Sequence, residues 1–175
     1  AARRHRARDG RGKGLAQGGP QNLAGGNAYL LVQATKPQTL SYAMMDSPFG
    51  IAAWIVEKFD TWSDSGADAS FTKDQLLTNV MIYVVTRTFN TASWIYRGHV
   101  DDDDDRLPPA RRVEVPVGVA SFPREFIPWA PRSFIEKGYN VTHWTDMPRG
   151  GHFAAFEVPE LFVEDARAFA RTLSP

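Results

Sequence analysis

The chain has 175 residues, of which 43% are hydrophobic, so it is long enough for one domain with a core. It contains no cysteine, which excludes disulfides and thiolate metal sites, and no apolar run of about 18 residues that could span a membrane. The net charge is zero overall, but six basic residues and one acidic residue fall in positions 1–26, so the remainder carries −5. This mildly acidic body argues against nucleic acid as a partner.

The N-terminal segment, residues 1–26, is rich in Arg, Gly, Gln and Ala and has almost no large apolar side chains. Such a segment buries too little surface to offset its ordering entropy, so we expect it to be disordered. A basic arm for nucleic acid is the alternative, which the acidic body and the lack of interleaved aromatic residues disfavour. Its charges precede no apolar h-region, so we expect a soluble, cytoplasmic protein with no membrane partner.

Short apolar segments separated by turn signals predict helices in the next part of the chain. Residues 28–34 form an apolar run that contains Tyr29, and residues 38–45 are typical of a short helix. Ser47 can accept a hydrogen bond as the N-cap of a following helix, with Pro48 at its first position.

A polar loop is predicted over residues 60–70, after this helix ends at Phe59. Thr72 and Gln75 then match a capping box for a helix over residues 73–85. A further helical stretch is predicted near residues 89–96.

Five consecutive aspartates at 101–105, followed by two prolines, predict a solvated linker. A calcium loop of the EF-hand type would need Gly at its sixth position and Glu at its twelfth. Arg106 and Arg112 stand at those positions, so the spacing does not fit calcium.

Beyond the linker the pattern alternates between strand and helix. Residues 113–122 are a near-continuous Val-rich run, which is typical of a buried parallel strand. Residues 131–137 predict a short helix ended by Gly138, and residues 141–145 predict a second strand. Pro159 opens a final helix with apolar side chains on one face. This order predicts an α/β fold, specifically the tail of a doubly wound sheet.

Two chemically useful residues follow the two predicted strands. Glu125 comes after the first strand, and His152 comes after the second, behind two glycines. Because active sites of such sheets form at the carboxyl ends of the strands, their loops should be neighbours. A carboxylate bonded to one imidazole nitrogen fixes the tautomer and leaves the other nitrogen as a base. The spacing alone also allows another interpretation, in which Glu125 is an exposed charge on a loop and His152 is a structural residue of a turn.

Five motifs, in this order and spacing, carry a family resemblance over roughly 145 residues. They stand at residues 33–39 (QATKPQT), 46–59 (DSPFGIAAWIVEKF), 76–81 (LLTNVM), 122–125 (FPRE) and 149–157 (RGGHFAAFE). In these motifs the chain resembles the C-terminal half of epoxide hydrolases of the microsomal type and their bacterial relatives. The resemblance implies a partial α/β-hydrolase fold with a helical cap. It divides the chain into the segment 1–26, a cap region with linker over 27–110, and the C-terminal part of the core over 111–175.

The same resemblance implies a mechanism and roles for four residues. In that family an aspartate opens an epoxide to form an alkyl-enzyme ester, and water activated by a His–acid pair hydrolyses it to a vicinal diol. The resemblance implies that His152 is the base and Glu125 its acid. Tyr29 and Tyr96 match the cap tyrosines that donate hydrogen bonds to the epoxide oxygen. It implies an apolar epoxide and water as substrates, with no cofactor and no metal.

Other aromatic and histidine residues carry no such motif. Tyr83 is interpreted as a core or surface aromatic, and Trp54 and Phe59 as helix core rather than as a substrate wall. His99 and His143 lack partners at ligand spacing, and there is no HExxH sequence, so no metal site is predicted.

The family's upstream elements have no candidate in this chain: neither an aspartate on a nucleophile elbow nor a His-Gly-x-Pro turn. The family would place them before Tyr29, so residues 1–26 are interpreted as non-native sequence left by a frameshift or truncation. We therefore expect the chain alone to be inactive, poorly soluble and prone to self-associate or to need its missing N-terminal half. The alternative function is a non-catalytic fragment or interaction module.

Overall fold

The computed structural model describes residues 28–101, 111–127 and 130–173. The predictions for residues 1–26 and for most of the aspartate and proline linker fall outside these described residues. In chain order the elements are α1 (Ala28–Thr35), α2 (Pro37–Asp46), α3 (Pro48–Trp62), α4 (Ala67–Ser70), α5 (Lys73–Thr86), α6 (Phe89–Asp101), β1 (Val113–Ser121), α7 (Arg132–Gly138), β2 (Tyr139–Asp146), α8 (Ala154–Glu157) and α9 (Pro159–Thr172).

Helix α3 begins as predicted but ends later. Its N-cap is Ser47, whose hydroxyl accepts a hydrogen bond from the Gly50 N–H at 3.0 Å. The predicted loop over 60–70 is wrong at both ends, because α3 continues to Trp62 and α4 occupies the last four positions. Phe59 and Trp62 lie one turn apart and are both buried, so packing extends the helix past its polar residue Asp60.

Helix α5 has the predicted capping box. The Gln75 N–H donates to the Thr72 hydroxyl at 3.2 Å, and the Thr72 N–H donates to the Gln75 side-chain oxygen at 2.8 Å. Helix α6 runs to Asp101, beyond the predicted end at residue 96, and Arg97 pairs with Asp101 along its last turn. An ion pair at this spacing supports the extra turn that apolar periodicity does not reveal.

Two apolar clusters hold the helical part together. Ile51 of α3, Val80 of α5 and Phe89 of α6 are buried against one another. A second cluster of Phe59, Ala67, Phe71 and Leu76 packs against the ring of Phe153, which directly follows His152. The cap-like helices therefore touch the C-terminal loop that carries the candidate base.

Strands β1 and β2 pair in parallel, from Val113 opposite Tyr139 to Ser121 opposite Asp146, with α7 between them. The predicted burial of the first strand is wrong for its N-terminal half, where Val115 is 65% exposed. Helix α9 contacts β1 nearer the strand's C-terminal end, at Gly118. The ring of Phe169 packs so closely there that a Cβ added to Gly118 would lie 2.7 Å from a ring atom.

The apolar face of α9 is only partly covered. Phe169 packs at Gly118, whereas Phe162 on this helix and Leu173 directly after it remain exposed by 40% and 50%. A third buried cluster, made of Phe122, Met147, Ala154 and Val158, lies where the two strands end. None of the described helices combines the length and the apolar character needed to cross a membrane.

Candidate active site

The loops after β1 and β2 continue side by side beyond the last paired residues of the strands. Arg124 forms a parallel bridge with Gly151, and the Arg124 N–H donates to the Gly150 carbonyl at 3.1 Å. This extension brings Glu125 Oε1 to 2.8 Å from His152 Nδ1. The two residues that the strand order predicted to be neighbours are therefore in direct contact.

The Glu125–His152 contact defines which imidazole nitrogen is free. An ionised carboxylate only accepts hydrogen bonds, so Nδ1 of neutral His152 is the donor and Nε2 keeps its lone pair. The backbone N–H of Ile127 also donates to Glu125 Oε1, at 3.3 Å, and restrains the carboxylate. The His152 and Glu125 side chains are 35% and 19% exposed, so the acid lies deeper than the base.

Three aromatic rings surround the imidazole of His152. The rings of Trp62, Phe126 and Phe153 meet it edge to face, with centroids 5.2, 4.8 and 5.0 Å away. The backbone N–H of His152 donates to the carbonyl of Trp62 at 3.0 Å. These contacts restrict rotation of the ring and lower the local polarity around its free nitrogen.

Tyr29 on α1 and Tyr96 on α6 face each other across the helical region. Their ring centroids lie 5.5 Å apart and their planes cross at 87°. Burial raises the pKa of Tyr29 above its usual value, and its electrostatic interaction and hydrogen bond with Tyr96 raise it further. Tyr29 therefore stays protonated, as a hydrogen-bond donor, through the neutral and mildly alkaline range.

A cavity of about 450 Å³ joins these groups. Tyr29, Tyr96 and His152 all line it, so the sequence-predicted tyrosines and base share one space. Its walls also include Gln33, Trp54, Ile55, Lys58, Phe59, Trp62, Asn79, Tyr83, Phe89, Ser93 and Ile95. A mostly apolar cavity with a few converging polar groups is the usual form of a small-molecule site.

A second cavity of about 620 Å³ adjoins the same pair of loops. His152 lines both cavities, whereas Glu125 lines only this second one. Its walls include Ala120 and Phe122 at the end of the first strand and the exposed ring of Phe162. The base therefore lies between the tyrosine-lined cavity and an apolar hollow beside the sheet.

Trp62 borders the tyrosine-lined cavity, and no sequence motif indicates it. It is only 7% exposed, stacks on Phe126 with centroids 4.1 Å apart, and contacts Tyr29 at 5.1 Å. Its indole nitrogen is buried and has no hydrogen-bond partner among the described residues. The Lys58 ammonium, one turn earlier, lies 5.0 Å from the Tyr29 ring centroid and 5.3 Å from that of Trp62. Trp62 is four residues after Lys58, so the two share a helix face. The sequence would have indicated this if the predicted helix had continued beyond Phe59.

Three aromatics interpreted as core or surface also line the cavity. Phe59 belongs to a buried cluster, and Trp54 and Tyr83 pack against another, yet all three contribute to the wall. Trp54 and Phe59 are therefore part of the helix core and of the cavity wall at once, because the inner face of the helices forms both.

His143 has a partner that its position in the sequence does not indicate. Its Nε2 lies 2.8 Å from Asp165 Oδ1, and the Thr145 hydroxyl donates to the same carboxylate oxygen. This pairing joins β2 to α9 and has no signature in the spacing of the residues. Within the described ranges, no group of three or more His, Cys, Asp or Glu side chains is arranged to hold a metal ion.

Known proteins resemble the chain in sequence. No family model matches it. It is 38% identical over 153 residues to epoxide hydrolase 1 of Sus scrofa, a match that covers 82% of this chain and 34% of that relative. It is 40% identical over 150 residues to juvenile hormone epoxide hydrolase 1 of Ctenocephalides felis, covering 78% of this chain and 32% of that relative.

Solved structures show the same relationship. Aspergillus niger epoxide hydrolase superposes with a TM-score of 0.74 at 27% identity, covering 99% of this chain and 45% of that one. Juvenile hormone epoxide hydrolase from the silkworm Bombyx mori gives a TM-score of 0.72 at 32% identity, covering 83% and 39%. The chain is therefore related to the epoxide hydrolases of the α/β-hydrolase fold, and it spans about a third of the length of the curated relatives it matches.

Proposed function

We propose that this chain carries the epoxide-binding and water-activating groups of an epoxide hydrolase. The observation that carries the proposal is the 2.8 Å contact between His152 Nδ1 and Glu125 Oε1 at the edge of a cavity that two facing tyrosines also line. A base oriented by a carboxylate and a pair of neutral donors are the groups that opening an epoxide and hydrolysing an ester require.

In the first step a carboxylate attacks one epoxide carbon and the bond from that carbon to oxygen breaks. The oxygen develops alkoxide charge, which the hydroxyls of Tyr29 and Tyr96 stabilise by donating hydrogen bonds. The raised pKa of Tyr29 keeps its proton in place at neutral pH. The products of this step are an ester between the protein and the substrate and, after protonation of the oxygen, a neighbouring hydroxyl.

In the second step Nε2 of His152 takes a proton from water, and the resulting hydroxide attacks the ester carbonyl. Glu125 stabilises the imidazolium that forms and holds it in orientation. The tetrahedral intermediate collapses by breaking the bond between the carbonyl carbon and the substrate oxygen, which regenerates the carboxylate on the protein. The departing alkoxide takes the proton from the His152 imidazolium, and the substrate is released as a vicinal diol. Atoms balance as epoxide plus water giving diol, and no cofactor enters.

We propose that the attacking carboxylate belongs to a region beyond the described residues. The relatives are about three times as long as the matched portion, and the second cavity beside His152 has apolar walls suited to contact with further protein. In this proposal residues 27–110 act as the cap and 111–175 as the end of the core. The missing region is supplied by a longer form of this chain or by a partner chain, and without it exposed apolar surface favours self-association.

The test is diol formation from an aryl epoxide. We would assay the purified chain alone and after co-expression with the rest of the Bombyx mori relative, outside the portion that this chain matches, each with His152→Ala as the control. Turnover that appears on co-expression and is lost in His152→Ala supports the proposal. Formation of a stable complex without diol production contradicts it.

A non-catalytic interaction module is the second candidate. The observation that favours it is the run of exposed apolar side chains on α5, where Leu77, Ile82 and Val85 are 55%, 55% and 70% exposed. An apolar helix face of this kind is suited to contact with another protein. If the chain is such a module, the co-expressed chains associate through α5, and Ile82→Glu prevents association while His152→Ala leaves association unchanged.

A further inference from the structure

A single carboxylate contacts the loops of both members of the candidate acid–base pair. Asp64 follows α3, and its Oδ2 accepts a hydrogen bond from the Gly150 N–H at 3.0 Å. Its Oδ1 lies 3.5 Å from the Arg124 guanidinium nitrogen Nε. Gly150 precedes the His152 turn and Arg124 precedes Glu125, so one side chain spans the two loops.

Glu157 makes hydrogen bonds in the same region. Its Oε1 accepts from the Phe153 N–H at 2.9 Å, one residue after His152. Its Oε2 accepts from the Asp64 N–H at 2.7 Å. Both oxygens are therefore used on backbone donors, and the two contacts tie the base-bearing turn to the residue that spans the loops.

The backbone leaves little room for another arrangement. The His152 N–H donates to the Trp62 carbonyl at 3.0 Å. A Cβ added to Gly151 would lie 2.6 Å from that carbonyl oxygen and 2.9 Å from the Asp64 nitrogen. Gly150 has a φ of 111°, which side-chain-bearing residues rarely adopt. The turn is thus shaped directly against residues 62–64.

We propose that Asp64 and Glu157 are positioning residues, which hold His152 and Glu125 at hydrogen-bonding distance. The proposal rests on the proposed function, since only there is His152 a base. Neither carboxylate lines the tyrosine-lined cavity, so both act through the loops they hold. A displacement of the turn by about 1 Å would be enough to lengthen the 2.8 Å Nδ1–Oε1 contact beyond a good hydrogen bond.

The chemistry of the two side chains predicts how they respond to substitution. A glutamine has one accepting oxygen, so Glu157→Gln can serve only one of the two N–H donors. Asp64→Asn keeps one acceptor for Gly150 but loses the charge that faces Arg124. We call Asp64, Glu157 and their contacts to the two loops the clamp. Both substitutions preserve size, so they weaken the clamp without opening a cavity.

The experiment reads the tautomer of His152 in the full chain labelled with ¹⁵N-histidine, at alkaline pH where neutral histidine dominates. His152→Gln identifies its resonances. In the unsubstituted chain we expect the Nδ1–H tautomer, fixed by Glu125. In Glu157→Gln and Asp64→Asn we expect loss of this single tautomer and a mixture of the two.

Two matched controls separate positioning from general stability. Glu160→Gln removes an exposed carboxylate one turn from Glu157, and Asp165→Asn removes the carboxylate that pairs with His143. We expect the first to change nothing and the second to change only the resonances of His143. A fixed Nδ1–H tautomer of His152 in both clamp variants would overturn the proposal, as would equal effects of the clamp and control variants on His152.

A second measurement needs no variant and stands even if the clamp variants fail to fold. Amide hydrogen exchange of the unsubstituted chain should show slow exchange at Asp64, Gly150 and Phe153, whose N–H groups donate to the two carboxylates. Exchange at these amides as fast as at unbonded loop amides would also overturn the proposal. Neither measurement uses an epoxide, so failure of diol formation leaves the result on positioning interpretable.

Discussion

The imidazole of His152 meets the indole of Trp62 edge to face at 5.2 Å, and the His152 N–H also donates to the Trp62 carbonyl at 3.0 Å. The candidate base is thus joined by side chain and backbone to the last residue of α3. That helix belongs to the cap-like part of the chain, which also carries the tyrosines. The position of the candidate base therefore depends on the helices that enclose the tyrosine-lined cavity.

Glycine is required at position 151. Gly151→Ala would place a methyl group against the backbone of residues 62–64, so we expect the free energy of unfolding to fall by about 1–3 kcal/mol. Urea denaturation measures this change. Gly98→Ala is the control, because among the described residues nothing beyond its chain neighbours and its own helix backbone lies within 4 Å of the added Cβ, and α6 should gain about 0.5–1 kcal/mol. Equal effects of the two substitutions would contradict the packing described here.

The indole nitrogen of Trp62 has no hydrogen-bond partner among the described residues, so we expect position 62 to tolerate phenylalanine. Trp62→Phe removes this buried N–H, and the relief of its desolvation offsets the weaker apolar packing of the smaller ring. We expect the free energy of unfolding to change by less than about 1 kcal/mol, against a fall of about 3–5 kcal/mol in Trp62→Ala. Denaturation curves of the two variants provide the comparison, and a large destabilisation in Trp62→Phe would indicate that the nitrogen does have a partner.

We expect the hydroxyls of Tyr29 and Tyr96 to assist epoxide opening. In the active co-expressed protein, Tyr29→Phe and Tyr96→Phe each remove one donor to the developing alkoxide, so we expect each to slow the formation of the ester on the order of 10²-fold. Tyr83→Phe is the control, since Tyr83 lines the same cavity but lies outside the Tyr29–Tyr96 pair. Rapid-quench measurement of ester formation tests this, and similar rates in all three variants would exclude a specific role for the pair.

Alkaline pH should weaken the fold partly through Tyr29. Burial and the neighbouring Tyr96 raise its pKa in the folded protein. In the unfolded chain a tyrosine ionises near its ordinary pKa of about 10, so above that pH the folded state binds more protons. The free energy of unfolding therefore falls as pH rises above about 10, and it falls less steeply in Tyr29→Phe.

Chemical denaturation between neutral and strongly alkaline pH measures those slopes. Tyr42→Phe is the control for loss of a phenol, because Tyr42 is exposed and lies outside the tyrosine-lined cavity. A Tyr29→Phe slope as steep as that of the unsubstituted chain would show that Tyr29 titrates normally.

The proximity of Glu125 and His152 could be predicted from the sequence because parallel strands end at the same edge of a sheet. The capping box at Thr72 and the cap at Ser47 were also predictable, since both are local hydrogen-bond patterns. Local rules placed the end of α3 wrongly, because burial of Trp62 outweighs the polar residues around it.

The remaining contacts have no local signature. Asp64 reaches Gly150 across 86 positions and donates from its backbone to Glu157 across 93, and neither pairing follows a periodicity. Likewise, only the packing of α1 against α6 brings Tyr29 to Tyr96. Their proximity depends on tertiary structure, and only the family resemblance pointed to these tyrosines as a pair.

The most direct measurement is mass spectrometry of the active co-expressed protein after brief exposure to an aryl epoxide, with and without His152→Gln. If His152 activates water only for the second step, the variant still opens the epoxide and accumulates the ester. We predict that the nucleophile-bearing chain of the variant gains a mass equal to one epoxide and that the variant forms no diol above background. The unsubstituted protein should carry little ester and should form diol. Continued diol formation by His152→Gln, or no ester on either protein, would contradict the account.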